Sequence, residues 1–175
     1  MQAERDDDRG LVRSRVVQEH LRCECAHDLE GILDTVGTET RFDDEAWGIH
    51  RMGHDEARSR YRDLLEAIPD IHNELVRWYI TDDAVVAEEV MSGTHTGTWR
   101  GLPGTGRRIK LPVCVIYIFD EHDRIGVERV YYDRSTLLRQ LGLFWDPATL
   151  VGRVITVLTH PLTFARAFGR SMFAK

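Results

Sequence analysis

Pro69 divides the sequence into two periodicities, and no other feature constrains the fold as tightly. Before it, apolar residues recur at helical spacing: Val12, Val16, Val17 and Leu21, then Leu29, Ile32 and Leu33, then Ala57, Tyr61, Leu64, Leu65 and Ile68. After it they run in strand-like segments over 71–80, 84–91, 109–119 and 125–132. Asp82-Asp83, the stretch Gly101 to Gly106 and the stretch Asp120 to Asp123 separate those segments as turns. A proline biases the residue before it away from helix, so the third helix ends at Ile68. Helices first and a meander of long strands afterwards predict an α+β fold, with helices packed on the concave face of a curved antiparallel sheet.

The break at Ala26-His27-Asp28 predicts one long helix and one short one, with the Asp28 carboxylate accepting from the free N–H groups of the second. Residues 38–47 are polar, end in Trp47 and are expected to hold a small strand before turns at Gly48 and Gly53. Asp133 reads as the N-cap of a short helix that closes at Gly142. Residues 1–10 are charged and polar and are expected to be disordered; 11–145 form the domain. Residues 146–175 form an amphipathic helical extension that starts at Asp146-Pro147 and kinks at Pro161. It carries Val151, Val154, Ile155 and Leu158, then Phe164, Phe168 and Met172.

A chain of 175 residues, 42% hydrophobic, can bury one sizeable core. At a formal charge of −6, with Lys and Arg scattered among Asp and Glu, it offers no stripe for nucleic acid. The first ten residues hold no apolar leader, so the expected location is the cytoplasm. Cys23, Cys25 and Cys114 read as buried free thiols. His50, His54 and His72 do not read as a helix-borne metal set and no H-E-x-x-H string appears, so no metal is expected. The segment Gly101 to Gly106 lies between strands and opens no helix, which argues against a phosphate loop.

Four runs occur in order: Ala67-Ile68-Pro69-Asp70, Gly93-Thr94-His95-Thr96-Gly97, Gly101-Leu102-Pro103-Gly104-Thr105-Gly106-Arg107 and Leu137-Leu138-Arg139-Gln140-Leu141-Gly142. Together they resemble the SnoaL-like polyketide cyclase family of the nuclear transport factor 2-like superfamily, which also includes ketosteroid isomerase. The similarity spans roughly His27 to Leu143. It implies a cone-shaped domain with a deep pocket between the helices and the concave face, and a homodimer through the outer face. It also implies a ring closure carried by an Asp and the motif histidine, which His95 matches. The strand on which the resemblance places that Asp, 109–119, holds no carboxylate, and the next strand has Val127 and Arg129 where the family often has I-x-E-x-W; only Asp133 matches.

Glu89 is expected to replace the missing carboxylate. In a pleated strand it shares a face with Ala87, Met91 and His95, and a carboxylate desolvated in an apolar pocket has a raised pKa and can shuttle protons. His95 is its expected acid–base partner, and Asp133 a further catalytic candidate that also has a capping role. Tyr61, Trp99, Tyr117, Arg129 and Tyr131 are the expected pocket lining, with Arg129 pairing to Glu89 or Glu128 or forming a surface ion pair.

Two functions fit. One is a cofactor-independent cyclase or isomerase that moves a proton within a small apolar polyketide-like or terpenoid carbonyl compound. The other is a binding protein that holds a small apolar molecule in the same pocket and does no chemistry. The extension carries Arg153, Arg166, Arg170 and Lys175 against Asp146 alone, which fits contact with an anionic membrane surface, or packing over the pocket mouth or a dimer partner.

Overall fold

The computed structural model describes residues 2–166. Helix α1 (Gln2–Ala26) and helix α2 (Leu29–Thr35) come first, followed by strands β1 (Val36–Asp44) and β2 (Ile49–Met52) and helix α3 (His54–Ala67). Strands β3 (His72–Ile80), β4 (Ala84–His95), β5 (Arg107–Phe119) and β6 (Ile125–Tyr132) then precede helices α4 (Arg134–Gln140) and α5 (Leu150–Thr159). A break at His160 separates α5 from a further helical stretch over 161–166, so Pro161 interrupts the extension as expected. The expected continuation through Phe168, Arg170, Met172 and Lys175 lies outside the described residues.

The caps behave as their chemistry requires. Asp28 accepts from Gly31 N at 2.9 Å and Asp133 from Ser135 N at 2.9 Å. α1 starts at Gln2, so the stretch set aside as disordered is helical from its second residue. Arg9 and Arg13, both on α1, reach Asp123 in the β5–β6 turn at 2.9 and 2.8 Å and tie this end of the helix to the sheet.

The six strands form one sheet in the order β2-β1-β6-β5-β4-β3. The meander β3 to β6 is antiparallel, as the sequence indicates. β1 departs from that pattern: it pairs parallel to β6, Phe42 opposite Glu128, and antiparallel to β2, a short strand where only turns were expected. Register shifts at Leu75/Arg77, Ile118/Phe119 and Val36/Arg41 insert extra residues, and such bulges bend a strand and increase its twist.

α1, α2 and α3 cover one face. There Val17, Leu21 and Leu33 meet Val85, Ala87, Val115 and Tyr117, while Leu64, Ile68, Leu111 and Leu137 form a second core toward α4. Of the three cysteines, all free, Cys23 alone is fully buried; Cys25 and Cys114 are half-buried.

Candidate functional site

Alternation along β4 sends Val85, Ala87, Glu89 and His95 toward the helices and Glu88 and Val90 away from them. Glu89 thus enters the core at 5% exposure, paired across the ladder with Val113 of the strand that lacks a carboxylate. Tyr117, on the same face of β5, donates its hydroxyl to Glu89 Oε1 at 3.1 Å.

Around this pair the fold gathers the expected Tyr61 together with His20, Glu24, Arg60 and Asn73, which the sequence did not single out, and Glu128, which it offered only as a partner for Arg129. His20 and Glu24 stand one helical turn apart on the buried side of α1, Arg60 and Tyr61 come from α3, Asn73 from β3 and Glu128 from β6. Tyr61 Oη donates to Glu128 and lies 2.8 Å from His20 Nε2, whose other ring nitrogen is 2.6 Å from Thr35 Oγ1. Arg60 donates to Glu128 at 3.0 Å, and its guanidinium stacks 3.5 Å from the centre of the Phe42 ring. Asn73 donates to Glu24.

Three buried carboxylates therefore share one neighbourhood with a single guanidinium. Burial pushes Glu89 up to about 8, with the nearby Glu24 charge adding to the rise and the Tyr117 hydrogen bond opposing it. Glu24 rises to about 8 by burial and the proximity of Glu128, opposed by Arg60. Burial drives His20 down to about 4, so its imidazole is neutral at physiological pH. Both tyrosines are raised well above 10 by burial and remain protonated donors. Two carboxyl groups poised near neutrality, flanked by fixed hydroxyl donors, can give and take protons.

His95 is not part of this cluster. It lies on the same face of β4, six residues beyond Glu89, or roughly 20 Å at the rise of a strand. There it is fully buried, its Nδ1 3.3 Å from Thr105 Oγ1 and its ring edge-on to Trp99. Burial lowers its pKa and keeps it neutral. Its Nε2 has no partner, and the other buried side-chain nitrogens without one among the described residues, Trp47 Nε1 and Arg100 Nε, belong to the same end of the sheet. Asp44 anchors that end, accepting from Arg100 and from Tyr132 Oη at 3.1 Å.

The other expected residues lie elsewhere. Asp133 accepts from Ser135 and Thr136 at the exposed start of α4, and those hydrogen bonds hold its carboxyl well below the usual range. Arg129 points away from Glu89 and Glu128; it reaches Asp43 at 3.2 Å and Glu45 at 3.5 Å. Tyr131 is exposed on the outer face of the sheet. The structure thus brings Glu89, Tyr61 and Tyr117 together, sets His95 and Trp99 apart as a pair, and leaves Asp133, Arg129 and Tyr131 outside the core. His20 and Glu24 had one signal in the sequence: they continue the helical stripe of Val17 and Leu21 as i+3 and i+7 from Val17.

The deep pocket implied by the resemblance is largely filled. The enclosed space beside Phe42, Tyr61 and Glu128 is ≈ 10 Å³, about one water. A groove of ≈ 970 Å³ is lined by Val76, Glu88, Val90, Pro112, Cys114 and Tyr131 of the outer face, and Glu89, Tyr132 and Asp133 also border it. Among the described residues, one group has metal-donor spacing: His20, Glu24 and Glu128, with donor atoms within 4.8 Å of one another. Arg60 and the Tyr61 hydroxyl already occupy Glu128 and His20, so those donors have partners without an ion.

The motif glycines bring two of the runs that carried the resemblance into direct contact. A Cβ at Gly93 would come 2.3 Å from Ile68 Cγ2, and one at Gly97 would come 2.3 Å from Glu66 O. Thr96 N and Gly97 N donate to Ala67 O at 3.0 Å each, and Thr94 donates to Asp70 through its hydroxyl at 2.7 Å. The end of α3 therefore docks on the end of β4 through both motifs.

In comparisons with known proteins, the family model for SnoaL-like polyketide cyclases matches residues 14–141. No curated protein matches the sequence. Among solved structures, AclR from Streptomyces galilaeus, a candidate hydroxylase, superposes with a TM-score of 0.67 at 20% identity, over 78% of this chain and 88% of its own. IdmH from Streptomyces antibioticus, a candidate polyketide cyclase, gives 0.63 at 20% identity over 74% and 98%. A Catenulispora acidiphila protein with a ketosteroid isomerase-like fold, solved with trimethylamine, gives 0.62 at 19% identity over 73% and 92%. These likenesses establish the fold. The family match runs from α1 through α4 and includes the docked motifs, and on that ground the chain belongs to the SnoaL-like polyketide cyclase family.

Proposed function

We propose that the chain is a cofactor-independent cyclase or isomerase that moves a proton within a small apolar polyketide-like or terpenoid carbonyl compound, with Glu89 as the base. The observation that carries this reading is the Glu89–Tyr117 pair: a buried carboxyl raised to about 8 beside a protonated hydroxyl 3.1 Å away. Membership of the SnoaL-like family and the likeness to IdmH support the reaction class.

In this reading ionised Glu89 removes a proton from the carbon next to the substrate carbonyl. The enolate oxygen accepts a hydrogen bond from Tyr117 or Tyr61. Glu89, now neutral, returns the proton to another carbon in an isomerisation. In an aldol closure the enolate carbon instead attacks a second carbonyl, and the proton goes to the new alkoxide. Substrate entry requires the filled interior to open, since the space present holds about one water.

The test is hydrogen–deuterium exchange of cyclic ketones in D₂O, followed by NMR. The parent protein is expected to accelerate exchange, with a rate that rises with pH to a half-maximum near 8 as Glu89 ionises. Glu89→Gln is expected to lose about 100-fold or more, and His95→Gln to stay near the parent. Tyr117→Phe removes the hydrogen bond that lowers the Glu89 pKa and is expected to move the profile to higher pH. Parent-like exchange by Glu89→Gln would overturn the reading. A second reading, a binding protein without turnover, draws on the separation of His95 from Glu89; a ketone that binds but does not exchange would establish it. The homodimer implied by the resemblance would use the outer groove, and Val76→Arg on that face is expected to shift a sedimenting dimer toward monomer.

A further inference from the structure

Helix α5 carries its apolar side outward. Leu150 and Leu158 are 78% and 72% exposed, and with Val151, Val154 and Val157 they form one continuous stripe at helical spacing. Gly152 is the buried residue of the helix, and among the described residues no other element packs extensively against it. A surface helix of a soluble domain does the reverse and turns its apolar stripe to the core. Two of its hydroxyls turn back to the helix backbone: Thr156 Oγ1 donates to Gly152 O at 2.6 Å and Thr159 Oγ1 to Ile155 O at 2.8 Å.

The flanks of this helix fit one kind of surface. Trp145, 54% exposed, stands with Leu150 and Val151 on a groove of ≈ 490 Å³ that Arg107 and Arg139 also line. Arg153 and Arg166 are exposed on the extension, and the nearest acid, Asp146, lies 3.5 Å from Arg139. No Asp or Glu follows Asp146 to the end of the sequence, although the chain as a whole carries −6. A cationic, apolar end on an acidic body is attracted to anionic headgroups through that end alone. An indole beside the apolar stripe suits the headgroup boundary. At ten residues α5 is about 15 Å long, half of what a bilayer core requires.

We propose that α5 lies in the plane of an anionic bilayer, with Leu150, Val154 and Leu158 in the acyl boundary and Trp145 and the arginines among the headgroups. This inference stands apart from the proton-transfer reading and survives its failure.

The test is cosedimentation of the full chain with phosphatidylcholine vesicles, with and without phosphatidylglycerol. The protein is expected to bind the anionic vesicles about tenfold or more tightly than the neutral ones. The triple variant Leu150→Ser, Val154→Ser, Leu158→Ser is expected to lose that binding while unfolding at the parent temperature, because all three side chains are exposed. Failure of the parent to bind, equal binding to both vesicles, or undiminished binding by the variant would each overturn the proposal. So would a parent that binds no vesicle but whose oligomer dissociates in the variant, since α5 would then join copies of the chain.

Discussion

Glu24 and Glu89 retain protons near neutral pH because the folded chain removes them from water, whereas His20 gives its proton up for the same reason. Each shift acts on stability with its own sign. The unfolded carboxyl ionises near 4.5 and the folded one near 8, so its contribution is full below 4.5 and is lost as pH rises through about 8. His20 works in reverse, adding stability as pH rises from about 4 to 6.5. Above 6.5 only the carboxyl effect remains, so Tm is expected to fall between pH 6.5 and 8. Glu89→Gln is expected to flatten that fall and to unfold several degrees above the parent at pH 8, at about 2–4 °C per kcal/mol for a chain of this size. A thermal scan in which the variant keeps the parent's slope would refute the assignment. Glu89 was legible in the sequence because strand alternation aligns it with Ala87 and Met91. His20, Glu24 and Glu128 were less so: a charged residue next to an apolar stripe ordinarily faces water, and here each does not.

At the scale of elements, the docking of α3 on β4 rests on two glycines without Cβ atoms. Gly97→Ala would drive a methyl against the Glu66 carbonyl at 2.3 Å, a backbone contact that no rotamer change relieves. It is expected to cost about 1–3 kcal/mol in urea unfolding, while an Ala at Gly126 would meet nothing nearer than 3.4 Å. The motif that carried the resemblance is thus legible as sequence because its glycines and threonines serve close packing that depends on residue type. The role of His95 was not legible from the same motif. Its place on the face that holds Glu89 is a matter of periodicity, but its distance from Glu89 follows from the length of β4, which runs to His95 where the sequence pattern indicated an end near Met91. β2 was missed because four residues between glycines carry too short a pattern to separate strand from turn.

Across the whole molecule, α1 spans the sheet and closes the cluster with His20 and Glu24, and its far end is held by Arg13. That side chain is 6% exposed, donates to Asp123 at 2.8 Å and to the Asp82 carbonyl at 2.5 Å, and lies 5.3 Å from the Phe119 ring centre. It joins the β3–β4 and β5–β6 turns to the helix. Arg13→Ala is expected to lower stability by roughly 1.5–3 kcal/mol from the lost charged hydrogen bonds, with amide exchange rising first in the early turns of α1. Unchanged exchange there would show that the helix is held by its apolar face alone.

The sequence by itself determined the period of each long segment, the caps at Asp28 and Asp133, the break at Pro69 and the antiparallel meander, because each depends on residues close together in the chain. Tertiary structure decided the rest. β1 joined β6 in parallel, three glutamates from α1, β4 and β6 converged on two tyrosines, Arg129 turned to Asp43, and the apolar stripe of α5 faced outward. Those outcomes depend on bulges, register and the crossing of elements distant in sequence, where a shift of one residue sends a side chain to the opposite face.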